Sequence, residues 1–551
     1  MKEIPKIIVL ADGSRVWEHT FQTFKVIVYL PMSDYITDVI NYAFIAPYLL
    51  FFMEEKPDRE QVVKFAQENG IDTIAKEYGS SVVFVYPTNA GGWSEADDTL
   101  YTELIAETKI GQYYKDGVTL MRDRFTLEWG EVKIRGMRAR TCLYGFGTSA
   151  DYIAKHCMKT VMGEGLFGYG DITPTVCILE RLSMLPSFER SDIPVVSVRN
   201  SDEINQALKA GLHDVLIKDS AEYPEDFYCF IRKYRRMVGT LDTEPELDKL
   251  GMEAEPGYCV VPVSEDNCGD DKDKKEHLIA YVAFYNRAIL STLKKVPLVL
   301  CFHGGGDSAF CMAALSDWHK VANQNDFLLV CVENHMNSTA TEAIALLEHL
   351  KDTYMIDEER IYATGFSMGG CKSWDLFQEY PDLFAGVAPM DATFPVGVNV
   401  FANSVEDINE ETIVPVFYVG GEDSPLPELP FHEEKCLERM KYVLAVNDAK
   451  IQPDISFENK ELWSNSIMGV DGDVICTAKD PVTGSVLTMH LFESNNGCCY
   501  TVFGSASNQK HEMRYLNSLN AWKYLSQFRR LPDGRIEGGA IENIVSLFKT
   551  Q

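Results

Sequence analysis

The sequence predicts an α/β protein of two tandem domains, each a mostly parallel sheet flanked by helices. Three observations carry this. Across the second half, β-branched and aromatic runs of strand length alternate with helical segments, the pattern that parallel strands with helical crossovers produce. Across the first half, similar segments recur in the same order, which points to a diverged internal duplication. At 551 residues the chain also exceeds one ordinary hydrophobic core.

In the second half the strands are Pro297 to Phe302, Phe327 to Val332, Arg360 to Thr364, Ala385 to Pro389 and Val414 to Val419. Helices are expected over Thr339 to Tyr354 and Cys371 to Tyr380. Val474 to Ala478 and Val486 to His490 read as a hairpin around Pro481-Val482-Thr483-Gly484. The hairpin lies in extra sequence between Ile451 and Asn496, where Trp463 and Met468 are expected to cap a pocket. Gly239 to Glu276 is acidic and lacks long apolar periods, so it reads as a linker entering a strand near Tyr258 to Val263. The expected boundaries are a first domain over 1–240, a linker over 241–257 and a second domain over 258–551.

The first half repeats this plan with altered chemistry. Ala46 to Glu55 lies over Val296 to Gly305, with Met53-Glu54-Glu55 in place of His303-Gly304-Gly305. Ile74 to Gly79 followed by Val82 to Tyr86 matches the helix and strand between Trp318 and Val332. Arg140 to Ser149 lies over Arg360 to Gly369 and puts Gly147 where Ser367 stands. Ile193 to Val198 matches Val414 to Val419, and Phe227 to Arg236 matches Ala521 to Arg530. The first domain is therefore expected to be a catalytically dead copy. Ser149 is discounted as a displaced nucleophile, because it lacks the flanking glycines and a glycine-rich loop.

Composition narrows the function classes. Hydrophobic content of 46% and charged content of 24% describe a soluble globular chain. A net charge of −31 opposes binding to nucleic acid or an anionic membrane surface, which need clustered Lys and Arg. The most apolar stretch, Val39 to Met53, is too short to span a bilayer and contains Asn41 and Pro47. Met1 to Lys6 shows no secretory signal pattern, so the 14 cysteines are expected as free thiols in the cytoplasm. There is no Cys-x-x-Cys pair, and Cys498-Cys499 makes no zinc half-site, so neither a metal nor a cofactor is expected. Nothing in the sequence opposes a homo-oligomer.

Chemistry concentrates at two glycine-rich turns. Ile361 to Gly370 is a strand that ends in Gly365-Phe366-Ser367-Met368-Gly369 and turns helical, which reads as a nucleophile elbow for Ser367. A serine hydroxyl attacks only when a base removes its proton, so it must sit on a sharp turn within reach of a histidine. Upstream, Val296 to Phe302 runs into His303-Gly304-Gly305-Gly306, the pattern of an oxyanion loop. Glycine there lets backbone N–H groups approach a developing negative oxygen, and the expected donors are Gly305, Gly304 and Met368. His303 precedes the elbow and is assigned a structural role in shaping that turn.

Beyond the elbow stand His432, His490 and His511. In this kind of site the order is Ser, acid, His. His511 immediately precedes a helix containing Ala521 to Leu525 and is the expected base. His490 reads as a strand side chain, and His432 follows the acid region too closely.

These motifs, with Asp357 to Tyr362 before the elbow and Tyr380 to Pro389 after it, make residues 258–530 resemble the polyhydroxybutyrate-depolymerase and feruloyl-esterase-like branch of the α/β-hydrolases. The resemblance implies tandem α/β-hydrolase-like domains, a serine carboxylesterase that forms an acyl-enzyme on Ser367, and a small-molecule ester substrate. It places the acid at Asp423, in Gly420-Gly421-Glu422-Asp423-Ser424-Pro425, with Glu422 and Asp391 as alternatives. The same triad also cleaves amides, and a silent binding protein is the reading from a different class.

Overall fold

The computed structural model describes the chain apart from residues 1–5, 22, 33–46, 79, 108–133, 135–136, 159–172, 187–189, 224, 227–233, 238–239, 244–246, 270, 291–293, 306–308, 334, 404, 406–407, 482 and 550–551. It divides into two units, Met1–Glu246 and Leu247–Gln551.

The first unit carries β1 (Ile8–Val9), β2 (Arg15–Thr20), β3 (Lys25–Leu30), β4 (Pro47–Phe52), β5 (Val82–Val85), β6 (Met137–Phe146), β7 (Val176–Glu180), β8 (Val195–Val198) and β9 (Val215–Lys218). A hairpin of β10 (Tyr234–Met237) and β11 (Thr240–Thr243) follows. The second unit carries β12 (Met252–Pro262), β13 (Glu276–Asn286), β14 (Val296–Phe302), β15 (Leu328–Val332), β16 (Ile356–Phe366), β17 (Gly386–Met390), β18 (Val416–Gly421), β19 (Val474–Lys479), β20 (Val486–Phe492) and β21 (Thr501–Ala506). The helices that matter below are α1 (Thr148–Tyr152), α2 (Ala340–Thr353), α3 (Met368–Glu379), α4 (Glu434–Val446) and α5 (Tyr515–Leu525).

The two sheets share one topology. The first runs β2-β3-β5-β4-β6-β7-β8-β9, with β1 outside β2. The second runs β12-β13-β15-β14-β16-β17-β18-β21, with β20 and β19 beyond β21. In each, the first two pairings of this eight-strand order are antiparallel and the rest parallel. The register of the fourth pairing, β4 with β6 and β14 with β16, also slips at the same point, between Pro47 and Tyr48 in one and between Val296 and Leu298 in the other. These are two mostly parallel α/β sheets of one strand order, in tandem along the chain.

Burial explains why the central strands were legible. β14 and β4 are buried along their whole length, because helices cover both faces of a parallel sheet and a continuous apolar run results. α2 begins where Thr339 caps it: the Thr339 hydroxyl accepts from the Glu342 N–H, and the Glu342 carboxylate accepts from the Thr339 N–H. The expected hairpin forms as β19 paired with β20.

Two expectations are corrected. Residues 241–257 are not a linker throughout, since β12 starts at Met252 and pairs with β13 over its full length. As an edge strand it turns Tyr258 and Val260 to solvent while burying Cys259 and Val261, so it tolerates the Glu and Pro content that disguised it. Met468 lines no opening: it is fully buried in the core of the second unit, and Trp463 packs on that core with its indole N–H donating to the Ser456 carbonyl. Of the first-half match, residues 227–233 lie outside the described residues.

Candidate active site

β16 delivers Ser367 to the start of α3, in a backbone conformation (φ 53°, ψ −116°) that a non-glycine residue adopts only under constraint. The constraint is visible. The Ser367 N–H donates to the Met390 carbonyl at 3.0 Å and its own carbonyl accepts from Cys371 at 3.0 Å. α3 starts directly against the end of β14, so a Cβ on Gly369 would lie 2.0 Å from the Phe302 carbonyl oxygen. Ser367 and Met368 remain half-buried and thus reachable.

Gly304 is buried and Gly305 exposed, and a Cβ on Gly305 would stand 3.4 Å from Met368 Cγ, so the glycine turn faces the residue after the serine. Gly306 lies outside the described residues. Beneath the turn, fully buried His303 places Nδ1 2.6 Å from the Gly304 carbonyl and Nε2 against the Glu333 carbonyl. His335 donates to the His303 carbonyl at 2.7 Å and packs edge-on against its ring. Burial, reinforced by His303 and Lys372, holds His335 well below the ordinary histidine range and therefore neutral.

His511, after β21 and before α5, is buried, with its ring centroid 4.7 Å from that of Phe366, the neighbour of Ser367. Its Nδ1 lies 2.5 Å from Oε1 of Glu428. Glu428 is 1% exposed, which makes it a buried carboxylate aimed at an imidazole. Ser424 Oγ donates to its Oε1 at 2.5 Å and the Gly421 N–H to its Oε2 at 2.8 Å. Its backbone is pinned as well. Tyr418 O–H donates to the Glu428 carbonyl at 2.6 Å, and His432 Nδ1 accepts from the N–H groups of Glu428 and Leu429 at 3.2 Å each. Burial lowers the pKa of His432, which keeps Nδ1 an acceptor.

The carboxylate at His511 Nδ1 thus stands five residues beyond Asp423 along the loop. Asp423 is exposed and contributes its N–H to the Gln509 carbonyl, and Glu422 accepts from Ser505 Oγ at 2.7 Å. Neither stands at His511 Nδ1. Asp391, the third alternative, is buried beside Glu428 with φ 51°. Burial, and then the Glu428 charge, raise its pKa well above the carboxylate range. The signal missed was Leu426-Pro427-Glu428-Leu429-Pro430, one acid inside an apolar, proline-stiffened run, whereas Asp423 sits in a polar turn. His490 is buried on β20 and Nδ1 accepts from the Gly472 N–H, a strand side chain as expected.

The first unit keeps the backbone of the same turn. Gly147 (φ 56°, ψ −124°) stands between β6 and α1, its N–H donates to the Glu180 carbonyl at 2.9 Å, and its carbonyl accepts from Asp151. Glu54 Oε1 accepts from both the N–H and the hydroxyl of Thr148 at 3.2 Å, the N–H being the counterpart of the Met368 N–H. A Cβ on Gly147 would lie 2.6 Å from that carboxylate oxygen. Ser149 is buried and donates to the Phe52 carbonyl at 2.7 Å, so its hydroxyl faces the core. Among the described residues no group of three or more His, Cys, Asp or Glu could hold a metal ion, and no helix is long and apolar enough to cross a membrane.

No family model matches the chain. Among curated proteins it is similar to the bifunctional acetylxylan esterase/xylanase XynS20E of Neocallimastix patriciarum, 26% identical over 134 residues that span 23% of this chain and 19% of that protein. It is also similar to poly(3-hydroxyalkanoate) depolymerase C of Paucimonas lemoignei, 27% identical over 113 residues that span 17% of this chain and 27% of that protein. These matches thus cover less than a third of either relative. Among solved structures, an acetyl xylan esterase from Aspergillus awamori aligns with 46% of this chain and 94% of its own, at 11% identity and a TM-score of 0.31.

Proposed function

We propose that the second unit is a serine hydrolase that cleaves carboxylic esters of small or soluble substrates through an acyl-enzyme on Ser367. The observation that carries this is Glu428 at His511 Nδ1, with His511 beside the turn that bears Ser367. In this reading His511 removes the Ser367 proton as the hydroxyl attacks the carbonyl, and the oxygen that becomes negative is received by the N–H groups of Gly305, Gly304 and Met368. Imidazolium then protonates the leaving alcohol, and water, activated by the same base, releases the acid. Glu428 takes the role expected of Asp423: it holds the Nδ1–H tautomer and stabilises the imidazolium. His303 keeps the glycine turn in shape from beneath.

The first unit is, in this reading, a non-catalytic copy, since the Glu54 carboxylate occupies the donor a substrate oxyanion would need. Buried free thiols at Cys142, Cys301, Cys331 and Cys371 support a reducing, cytoplasmic setting. The esterase named among the relatives supports the choice of ester over amide.

The deciding experiment is hydrolysis of short- and medium-chain p-nitrophenyl esters by wild type, Ser367→Ala and His511→Ala, each checked for folding. Losses of about three or more powers of ten in both variants are expected. A folded wild type without turnover, and without labelling of Ser367 by a fluorophosphonate probe, overturns the reading in favour of a binding protein.

A further inference from the structure

Glu333 is the first residue after β15, as His303 is the first after β14, and Phe302 and Val332 are in register at the C-terminal ends of these parallel neighbours. Its backbone is fixed from the other side, where its N–H donates to the Ala280 carbonyl of β13 at 2.8 Å. From that place one residue fastens the glycine turn at both ends. Ahead of the glycines, the Glu333 carbonyl accepts from His303 Nε2. Beyond them, Glu333 Oε2 accepts from the Ala309 N–H at 2.9 Å, in a buried bond. Ala309 opens the helix Ala309–Ser316, so its N–H has no carbonyl partner within that helix. Glu333 itself is fully buried, a place such a side chain takes only where its bonds offset the loss of hydration.

The first unit shows that this fastening is not a demand of the fold. Phe52 and Val85 are the registered pair there, so Met53 and Tyr86 hold the places of His303 and Glu333. One hold is common to both units: the carbonyl of the residue after the strand accepts a ring N–H, from His335 at 2.7 Å on His303 and from Trp93 at 3.0 Å on Met53. The carboxyl hold is not common, since Tyr86 has a ring whose hydroxyl lies 3.5 Å from Glu18 Oε2. A carboxyl at this place thus accompanies His303-Gly304-Gly305, and tyrosine accompanies Met53-Glu54-Glu55.

We infer that Glu333 is a positioning residue of the oxyanion loop: by holding His303 and Ala309 it keeps the N–H groups of Gly304 and Gly305 aimed at the ester carbonyl oxygen as it becomes negative. The inference rests on the hydrolase reading above and adds a residue that acts through the loop rather than on the substrate. Its effect falls on the transition state, because donors out of line weaken the hold on an oxyanion more than on a neutral ester.

The test is steady-state hydrolysis of p-nitrophenyl acetate by wild type, Glu333→Ala and Glu333→Gln, together with inhibition by a trifluoromethyl ketone, whose adduct with serine carries the oxyanion. Glu333→Ala should lower kcat about tenfold or more, short of the roughly hundredfold to thousandfold cost of losing a donor outright, with KM moved by no more than about threefold. The ketone should bind more weakly by the factor that kcat/KM falls. Glu333→Gln keeps an oxygen for the Ala309 N–H and should stay within about fivefold of wild type. An unchanged kcat in folded Glu333→Ala overturns the inference, as does a loss confined to KM or one the ketone does not share. So does a loss in Glu333→Gln as deep as in Glu333→Ala. Glu333→Leu, of similar size and without an acceptor, replaces the alanine variant should that one not fold. Wild type covers failure of both: residue-resolved hydrogen exchange should find the Ala309 amide protected about a hundredfold or more over an unstructured peptide, and exchange at the unstructured rate overturns the hold. Wild type without turnover brings down the hydrolase reading and this inference with it. Turnover that Ser367→Ala abolishes and Glu333→Ala leaves intact brings down this inference alone.

Discussion

Replacing Glu428 by Gln keeps the length of the side chain but removes the charge and one acceptor oxygen, since Ser424 Oγ and the Gly421 N–H donate to different oxygens of the carboxylate. The magnitude follows from the geometry. With Nδ1 and Oε1 2.5 Å apart, the imidazolium and carboxylate charge centres are about 4 Å apart, and at an effective dielectric near 20 that attraction is worth about 4 kcal/mol. It is present only when His511 is protonated, hence mainly in the transition state, so about three powers of ten in kcat should be lost with KM moved by no more than a few-fold. The amide can also turn its NH2 toward Nδ1 and select the wrong tautomer, which deepens the loss. Asp423→Asn, in the same loop but exposed, should stay within about threefold of wild type, since its side chain touches neither reacting group. The assay is steady-state ester hydrolysis with circular dichroism as the folding check. A large loss in Asp423→Asn together with near-normal turnover in Glu428→Gln would falsify the assignment of the acid.

Three further outcomes are expected. Gly147→Ser in a Ser367→Ala background should show no turnover above Ser367→Ala alone, because the new Cβ meets Glu54 Oε1 at 2.6 Å and the Thr148 N–H is already taken; measurable ester cleavage defeats this. Gly369→Ala should lower the thermal midpoint of the second unit by an amount matching about 3 kcal/mol or more, since its Cβ would overlap the Phe302 carbonyl, and an unchanged midpoint refutes that packing. His277, buried between Asp271 and Glu342, should make stability fall in alkali. Burial opposes its charge, but the hydrogen bond to Asp271 and the ion pair with Glu342 outweigh this and raise it from 6.5 to about 9. A raised histidine stabilises fully below pH 6.5 and loses that contribution as pH climbs through 9, at most about 3 kcal/mol. Denaturant midpoints at pH 6 and pH 9.5 should differ in wild type and converge in His277→Gln; equal midpoints in wild type overturn the pairing.

How much was legible depends on what kind of constraint wrote each residue. Ser367 and its glycines were legible because backbone sterics demand them: only glycine fits at 369 against the Phe302 carbonyl, whatever the chemistry. His511 was legible from chain order and the helix behind it. Glu428 was not, because any acid on the loop after β18 satisfies the order rule. Which one reaches Nδ1 depends on how Pro425, Pro427 and Pro430 direct the chain and on His432 holding the loop by two backbone N–H groups. That information lies in contacts between residues distant in sequence. The edge strand β12 was missed for a related reason: with one face in solvent and no neighbour on its outer edge, its composition is free to look like a linker.

The duplicated unit separates what the fold requires from what chemistry requires. Gly147 and Ser367 adopt nearly the same φ and ψ, and each N–H is held by the last carbonyl of the next strand, Glu180 or Met390. The sharp turn thus persists with glycine in place of serine at its apex, so strand-to-helix packing suffices to sustain its strain. What differs is the occupant of the N–H that follows the turn. In the first unit Thr148 gives it to Glu54, the residue aligned with Gly304, whereas in the second the glycine carries no side chain to take the Met368 N–H. A carboxylate at that donor is a permanent stand-in for an oxyanion. It follows that serine alone cannot reactivate the first unit, and that introducing Glu at Gly304 should silence the second even with Ser367, His511 and Glu428 intact.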